Sequence, residues 1–282
     1  MRDAGRILVV GATGTVGREL VKALRQRGEA VREATRAPRP DNADAVRFDL
    51  ERPETFAPAL HGVDRVFLIA RPGDEQADRF ACPLIDEMAR RGVRRVVNLT
   101  AMGTEHLPEA ALYKVEVHLE ASGMAFTHLR PNWFMQVFAG GPLLASIRGM
   151  GAVAMPTADA RVSYIDVRDI AAVAAAALCD AGHAGAAYTL TGDEALDTGE
   201  AAAHIGRAVG RRVVHVDLTE AQARGAMAGA GLPPERVERL IGFYRLVREG
   251  WCAPVSTAVR DVLGRLATPF SDFARDYASV WR

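Results

Sequence analysis

The 282-residue chain is predicted to be an α/β protein, a Rossmann-type doubly wound parallel sheet with a smaller, mostly helical lobe. Three observations predict this. Short β-rich apolar runs alternate with helical stretches through the first half, as expected of parallel strands joined by right-handed crossovers. The first run passes directly into a glycine-patterned turn and an amphipathic helix. After residue 131 this rhythm gives way to a segment mixing aromatics, glycine and proline, followed mainly by helices.

The elements follow in order. "RILVV" is the first strand, and the helix "TVGRELVKALRQRG" after its glycine turn stops at Gly28. "AVREATR" and "AVRFDL" are the second and third strands. "PETFAPALHGV" is a helix begun by proline and ended by glycine. "DRVFLIA", "RRVVNLTA" and "AFTHLRP" are strands four to six, separated by the helices "EQADRFACPLIDEMARRGV" and "ALYKVEVHLEASG". Residues 1–131 are therefore expected to form a dinucleotide-binding domain. Residues 132–282 are expected to form a lobe for the substrate, interleaved with the sheet, with strands near 162–166 and 187–190 returning to the core. The Ala-rich "DIAAVAAAALC", "TGEAAAHIGRAVG" and the tail ending "FARDYASVW" are helical, and "RRVVHVDL" is strand-like. There is no internal repeat, low-complexity segment or long polar linker.

Composition narrows the function. Lys plus Arg and Asp plus Glu number 35 each, so zero net charge gives no support for a nucleic-acid or anionic-membrane partner. The basic clusters "ARRGVRRVV" and "GRRVVHV" read as helix C-terminal turns. Cys82, Cys179 and Cys252 are scattered, without metal-like spacing, which points to a reduced cytoplasmic protein and no metal site. Nothing at the start resembles a signal peptide, and the Ala-rich run is too short to span a membrane. The expected partner is a small-molecule substrate, and a homo-oligomer is compatible with the sequence.

"VVGATGTVGREL" spaces Gly11, Gly14 and Gly17 between a strand and a helix. The first glycine serves the tight turn, the second lets the backbone approach a pyrophosphate, and the third lets the helix pack closely on the sheet. Thr13 and Thr15 add hydroxyl donors or cap the helix, and Val16 opens it. The second strand ends at Thr35 and Arg36, with Glu33 set further back. A hydroxyl and a guanidinium suit a 2′-phosphate, which predicts NADPH over NADH. Asp49 and Leu50 would meet the adenine edge. Ala70, Thr100 and Ala101 close strands four and five around the ribose and nicotinamide.

The passages "GATGTVGREL", "RRVVNLTAMG", "HLEASGMAFTHLRPNWFMQ" and "VSYIDVRDIAAVAAAAL" resemble the NmrA-like branch of the atypical short-chain dehydrogenase/reductases. Within it, the chain looks closest to bacterial relatives of the ergot-alkaloid (festuclavine and agroclavine type) dehydrogenases. The resemblance implies NADP(H) binding and reduction of quinones, enones or iminium ions, although the branch also includes non-catalytic NADP(H)-binding regulators. It carries over Gly11, Gly14, Gly17, Arg36, Thr100 and Ala101 to the cofactor. It also carries over Asn132, Trp133 and Phe134 to the nicotinamide pocket, and marks Asp166 and Asp169, which read as structural.

Related enzymes carry a proton-donating Tyr-xxx-Lys pair. Counting back from "EASG" puts that lysine at Leu112 and that tyrosine at Pro108, so the pair is absent from its usual place. Tyr113 and Lys114 lie one and two residues further on. At ~100° per residue, Lys114 points away from the usual direction. They are candidate catalytic helpers, or a plain amphipathic pair. Glu116, His118 and Glu120 are read as the exposed face, and His128 as a packed histidine. His106, Trp133, Phe134 and Tyr164 are candidate pocket residues. The expected activity is NADPH-dependent reduction of an electrophile that accepts hydride readily. The alternative is a non-catalytic NADP(H)-sensing regulatory protein.

Overall fold

The computed structural model describes residues 5–70 and 74–282; the start of the chain, on which the reading of no leader rests, lies outside them. The chain divides into two compact units. The first comprises the chain up to Pro131 together with Val167–Leu190, and the second Asn132–Asp166 with Thr191–Arg282.

The first unit is built on seven parallel strands: β1 (Arg6–Val10), β2 (Val31–Thr35), β3 (Ala45–Arg47), β4 (Val63–Ile69), β5 (Arg95–Leu99), β6 (Ala125–Pro131) and β8 (Ala186–Leu190). Their order is β3-β2-β1-β4-β5-β6-β8, so the direction of winding reverses between β1 and β4. Ligands of such sheets sit at this switch point, beyond the carboxyl ends of the strands. The connecting helices are α1 (Thr15–Gln26), the short α2 (Phe56–Ala59), α3 (Ala77–Arg90), α4 (Ala111–Ala121) and α6 (Val167–Cys179). α1 packs on α6 and α3 on α4.

The alternation of the strands explains the layers. Leu8, Val10, Val66, Leu68 and Val96 join Leu84, Ile85, Val115 and Leu119 of α3 and α4 in one core cluster. Their strand neighbours Ile7, Val9, Phe67 and Val97 are fully buried on the other face. A sheet covered on both faces needs continuous apolar runs, and "RILVV" and "DRVFLIA" are such runs.

The second unit contains β7 (Ala152–Met155) and β9 (Val214–Asp217), paired in parallel. Its helices are α5 (Gly141–Met150), α7 (Thr198–Val209), α8 (Glu220–Gly229), α9 (Pro234–Arg248), α10 (Ala258–Leu263), α11 (Phe270–Asp276) and α12 (Ala278–Trp281). Asp197 with Glu200, and Thr219 with Gln222, form capping boxes that start α7 and α8. Trp281 is fully buried and donates from Nε1 to the carbonyl of Phe138 at 2.7 Å, which fastens the end of the chain into this core.

Three sequence expectations are revised. The third strand ends at Arg47, short of Asp49 and Leu50. Residues 186–190 do rejoin the sheet, but 162–166 do not: they make isolated bridges, Val162 with Leu196 and Ile165 with Phe134, inside the second unit. Their backbone bonds go to separate segments, Ser163 N to Cys252 O among them, so no ladder forms. β7 carried no signal strong enough to be read, because "AVAM" lacks the β-branched run that marks strands.

Candidate dinucleotide site

Gly11 leaves β1 with φ at +71°, a left-handed conformation open chiefly to glycine. Gly14 N donates to its carbonyl at 2.8 Å and closes the turn. A Cβ on Gly17 would stand 2.1 Å from the Gly11 oxygen, so only glycine allows α1 to begin this close to the strand. Gly14 is exposed and N-caps α1 in an extended conformation, with no side-chain cap and no acidic residue in the first turn. The capping role read for Thr13 or Thr15 is therefore absent, and both are exposed. Val16 is buried and contributes only backbone. Uncapped amides at the positive end of a helix, behind a loop stripped of Cβ atoms, fit a pyrophosphate.

Arg36 is exposed just past the tip of β2, and among the described residues it has no ion pair. Glu33, two residues inside the strand end, is held by Arg25 at 2.7 Å. Asp49 accepts from Glu51 N at 3.2 Å and Thr55 ties its main chain, while Leu50 packs on the core. Ala70 is buried with Ala77, Ala111 and Leu112, and Ala101 packs against them. Thr100 is 1% exposed: its hydroxyl donates to Glu116 at 2.6 Å and its N–H to Leu129 O at 2.8 Å. Its side chain serves the fold, and it offers a cofactor no free donor.

On α4, Lys114 is exposed, with Nζ 3.8 Å from a carboxylate oxygen of Glu109. Tyr113 is half-buried beside it, Leu112 is buried and Pro108 is exposed. His106 lies exposed on a 3-10 turn, Thr104–His106. Glu116 corrects the sequence reading: it is 1% exposed, not part of the solvent face. It accepts from Arg130 Nε at 3.1 Å and Nη2 at 2.6 Å, besides Thr100. Burial works against the Arg130 guanidinium, but the hydrogen bonds and charge of Glu116 outweigh it and raise its pKa. The missed signal was periodicity. Leu112, Val115, Glu116 and Leu119 share one stripe at i, i+3, i+4 and i+7, the face α4 buries.

The second unit places its candidates differently from one another. Asn132 is 5% exposed, and its amide is engaged: Nδ2 donates to Ser163 Oγ and to Cys252 O, both at 2.8 Å, and Oδ1 accepts from Trp133 N at 2.9 Å. It braces three segments, and both N–H groups of its amide are taken up in doing so. Tyr164 is 2% exposed, its ring edge-on to Phe138 and Phe270, and belongs to the core rather than a pocket wall. Burial raises its phenol well above the ordinary value. Trp133 and Phe134 remain partly accessible. Trp133 lies against Tyr244 with ring centroids 5.3 Å apart. Burial pushes the Tyr244 phenol up to about 12 and the Cys252 thiol up to about 11, so both stay protonated at neutral pH.

Among the described residues no group of three or more His, Cys, Asp or Glu is arranged to hold a metal ion. No described helix is long and apolar enough to cross a membrane.

A seven-stranded parallel sheet whose first turn is shaped for a pyrophosphate defines a Rossmann-type nucleotide-binding protein. The chain belongs to the NAD(P)H-binding family, whose model matches residues 11–181, and is an NAD(P)H-dependent oxidoreductase; its relatives and structural neighbours support the resemblance to the NmrA-like short-chain dehydrogenase/reductases. It is 37% identical to the NAD(P)H azoreductase of Xenophilus azovorans, over 98% of this chain and 99% of that one. It is 28% identical to the agroclavine dehydrogenase of Claviceps fusiformis, over 98% of each chain. Among solved structures, the triphenylmethane reductase of Citrobacter sp. complexed with NADP(H) superposes with a TM-score of 0.85 at 21% identity, covering 97% of this chain and 99% of that one. The NADPH-dependent quinone oxidoreductase of Escherichia coli complexed with NADPH gives 0.84 at 22%, covering 96% and 99%. These two likenesses establish the fold.

Proposed function

We propose that the protein is an NADPH-dependent reductase that delivers hydride to a small electrophilic organic acceptor of the quinone, enone or iminium type. The observation that carries this reading is the join of β1 to α1, an uncapped helix N-terminus behind Gly11, Gly14 and Gly17, with Arg36, which has no ion pair among the described residues, just past the tip of the neighbouring β2. The glycine turn and α1 hold the pyrophosphate, and Arg36 pairs with a 2′-phosphate. When bound, the reduced nicotinamide supplies the hydride.

The acceptor class rests on what α4 lacks. By the count back from "EASG", Leu112 and Pro108 stand for the usual lysine and tyrosine, and Lys114 is exposed beside Glu109. Without a fixed acid, a simple ketone is a poor substrate, because its alkoxide must be protonated as it forms. An iminium carbon needs no proton, and a reduced quinone or enone takes one from water. Trp133, leaning on Tyr244, offers an aromatic face to a planar acceptor. The names of the similar proteins, an azoreductase, a quinone oxidoreductase and a triphenylmethane reductase, support acceptors of this kind.

Stopped-flow mixing of the protein and NADPH with a panel of quinones, enones and cyclic imines tests the proposal through nicotinamide absorbance. Oxidation that saturates with one acceptor class is expected. Tight binding of NADPH with no oxidation by any acceptor would shift the reading to the regulatory alternative.

A further inference from the structure

A groove of about 560 Å³ runs beside the glycine turn, between α1 and β2, and its lining includes Ala12, Arg18, Lys22, Arg25 and Glu33. Its charges are unequal in kind. Glu33 is the one carboxylate of the lining, and Arg25 neutralises it at 2.7 Å while also holding Asp44 at 2.7 Å. Lys22 leans to Glu19 of its own helix at 4.0 Å. Arg18 differs: it is exposed in the first turn of α1, one residue after Gly17, and among the described residues it makes no ion pair and no side-chain hydrogen bond. Its guanidinium therefore faces a groove whose only acid has been claimed by another arginine. Ala12, in the glycine turn itself, links this groove to the pyrophosphate site.

We propose that Arg18 is a second cation for the cofactor's 2′-phosphate, acting with Arg36, and that Arg25 clears the way by taking the charge of Glu33 out of the groove. The inference rests on the NADPH reading above and adds a specificity-determining residue to it. The physical reason is charge and location together. A 2′-phosphate projects from the adenosine ribose toward the end of β2, and a dianion there gains more from two guanidiniums than from one. An unneutralised Glu33 would repel that dianion and favour the bare ribose hydroxyl of NADH.

The test is fluorescence titration of the full-length wild type and of Arg18→Gln with NADPH and NADH, with 2′,5′-ADP and 5′-AMP as competitors. Arg18→Gln is expected to raise the Kd of NADPH and of 2′,5′-ADP about tenfold, equivalent to ~1.4 kcal/mol, and to leave those of NADH and 5′-AMP within twofold. The unchanged NADH affinity also shows that the variant is folded. Unchanged NADPH binding, or an equal loss for NADPH and NADH, overturns the role of Arg18 while leaving the reductase reading standing. A wild type that binds NADH as tightly as NADPH overturns the NADPH reading and this inference with it.

Discussion

Glu116 of α4 and Arg130 at the end of β6 form a two-pronged ion pair, with Nε and Nη2 at 3.1 and 2.6 Å from the two carboxylate oxygens, in which the Glu116 side chain is 2% and the Arg130 side chain 15% exposed. Thr100, just past the end of β5, closes the arrangement at 2.6 Å. Removing Glu116 takes from the Arg130 guanidinium its two-pronged partner and leaves it Glu105, 3.4 Å from Nη1. Glu116→Leu is expected to cost about 3 kcal/mol in urea unfolding, the lower end for a broken buried pair. The double variant Glu116→Leu, Arg130→Met should cost clearly less than the sum of the two single changes. Simple additivity would show that the pair is not coupled.

Gly17→Ala tests the glycine turn. The new methyl would meet the Gly11 oxygen at 2.1 Å and Cα of Ala12 at 2.8 Å, backbone atoms that cannot swing aside. The start of α1 must move, and with it the amides that face the phosphates. A loss of ~1–3 kcal/mol is expected from the overpacking, and saturating NADPH should no longer raise Tm. A variant that still shows the wild-type NADPH-induced rise in Tm would remove the pyrophosphate role of this turn.

The first unit was legible because each local signal agreed with the fold. Continuous apolar runs marked the buried parallel strands, and Gly11 and Gly17 stand where φ and close packing demand them. The side-chain roles were less legible. Thr100 and Asn132 were assigned to the cofactor from their places after strands, yet both spend their polar groups inside the protein, on Glu116 and on Ser163 with Cys252. Position along the chain says where a residue lies but not which partner claims its hydrogen bonds. Tyr164 shows a related limit: a polar-tipped aromatic in a strand-like run suits a pocket and a core equally, and its ring packs edge-on to Phe138 and Phe270. Glu116 was missed although the helical stripe contained it, because a carboxylate was assumed to face water.

Lys114→Met and Tyr113→Phe measure how much proton transfer α4 supplies. Lys114 is exposed and leans toward Glu109. Each variant is expected to lower kcat for a quinone or enone less than tenfold. A true general acid is worth ~10²–10⁴-fold. A hundredfold fall in kcat with KM unchanged would therefore make α4 a working active-site helix and reopen ketones as substrates.

His128 predicts a pH dependence of stability. It is fully buried in β6, where Asn98 Nδ2 lies 3.3 Å from Nδ1 and Glu120 Oε1 lies 3.2 Å from Nε2. The Glu120 carboxylate can only accept, so Nε2 carries the proton of the neutral ring and Nδ1 accepts from Asn98 Nδ2. Burial holds the folded-state pKa below the ordinary value, outweighing the attraction of Glu116 and Glu120. The unfolded chain then binds a proton below about pH 6.5 that the folded chain does not. The stability linked to this residue is complete above that pH and is lost as the solution is acidified through it. Urea unfolding of wild type and His128→Phe between pH 5.5 and 7.5 should show the wild type losing more stability toward acid. The replacement ring keeps the packing against Phe126, 5.0 Å away between centroids, and its lost hydrogen bonds cost the same at every pH. Parallel profiles for the two proteins would mean that folding leaves the His128 pKa unshifted, and a wild type that loses less stability toward acid than the variant would mean that Glu120 pairs with an imidazolium instead.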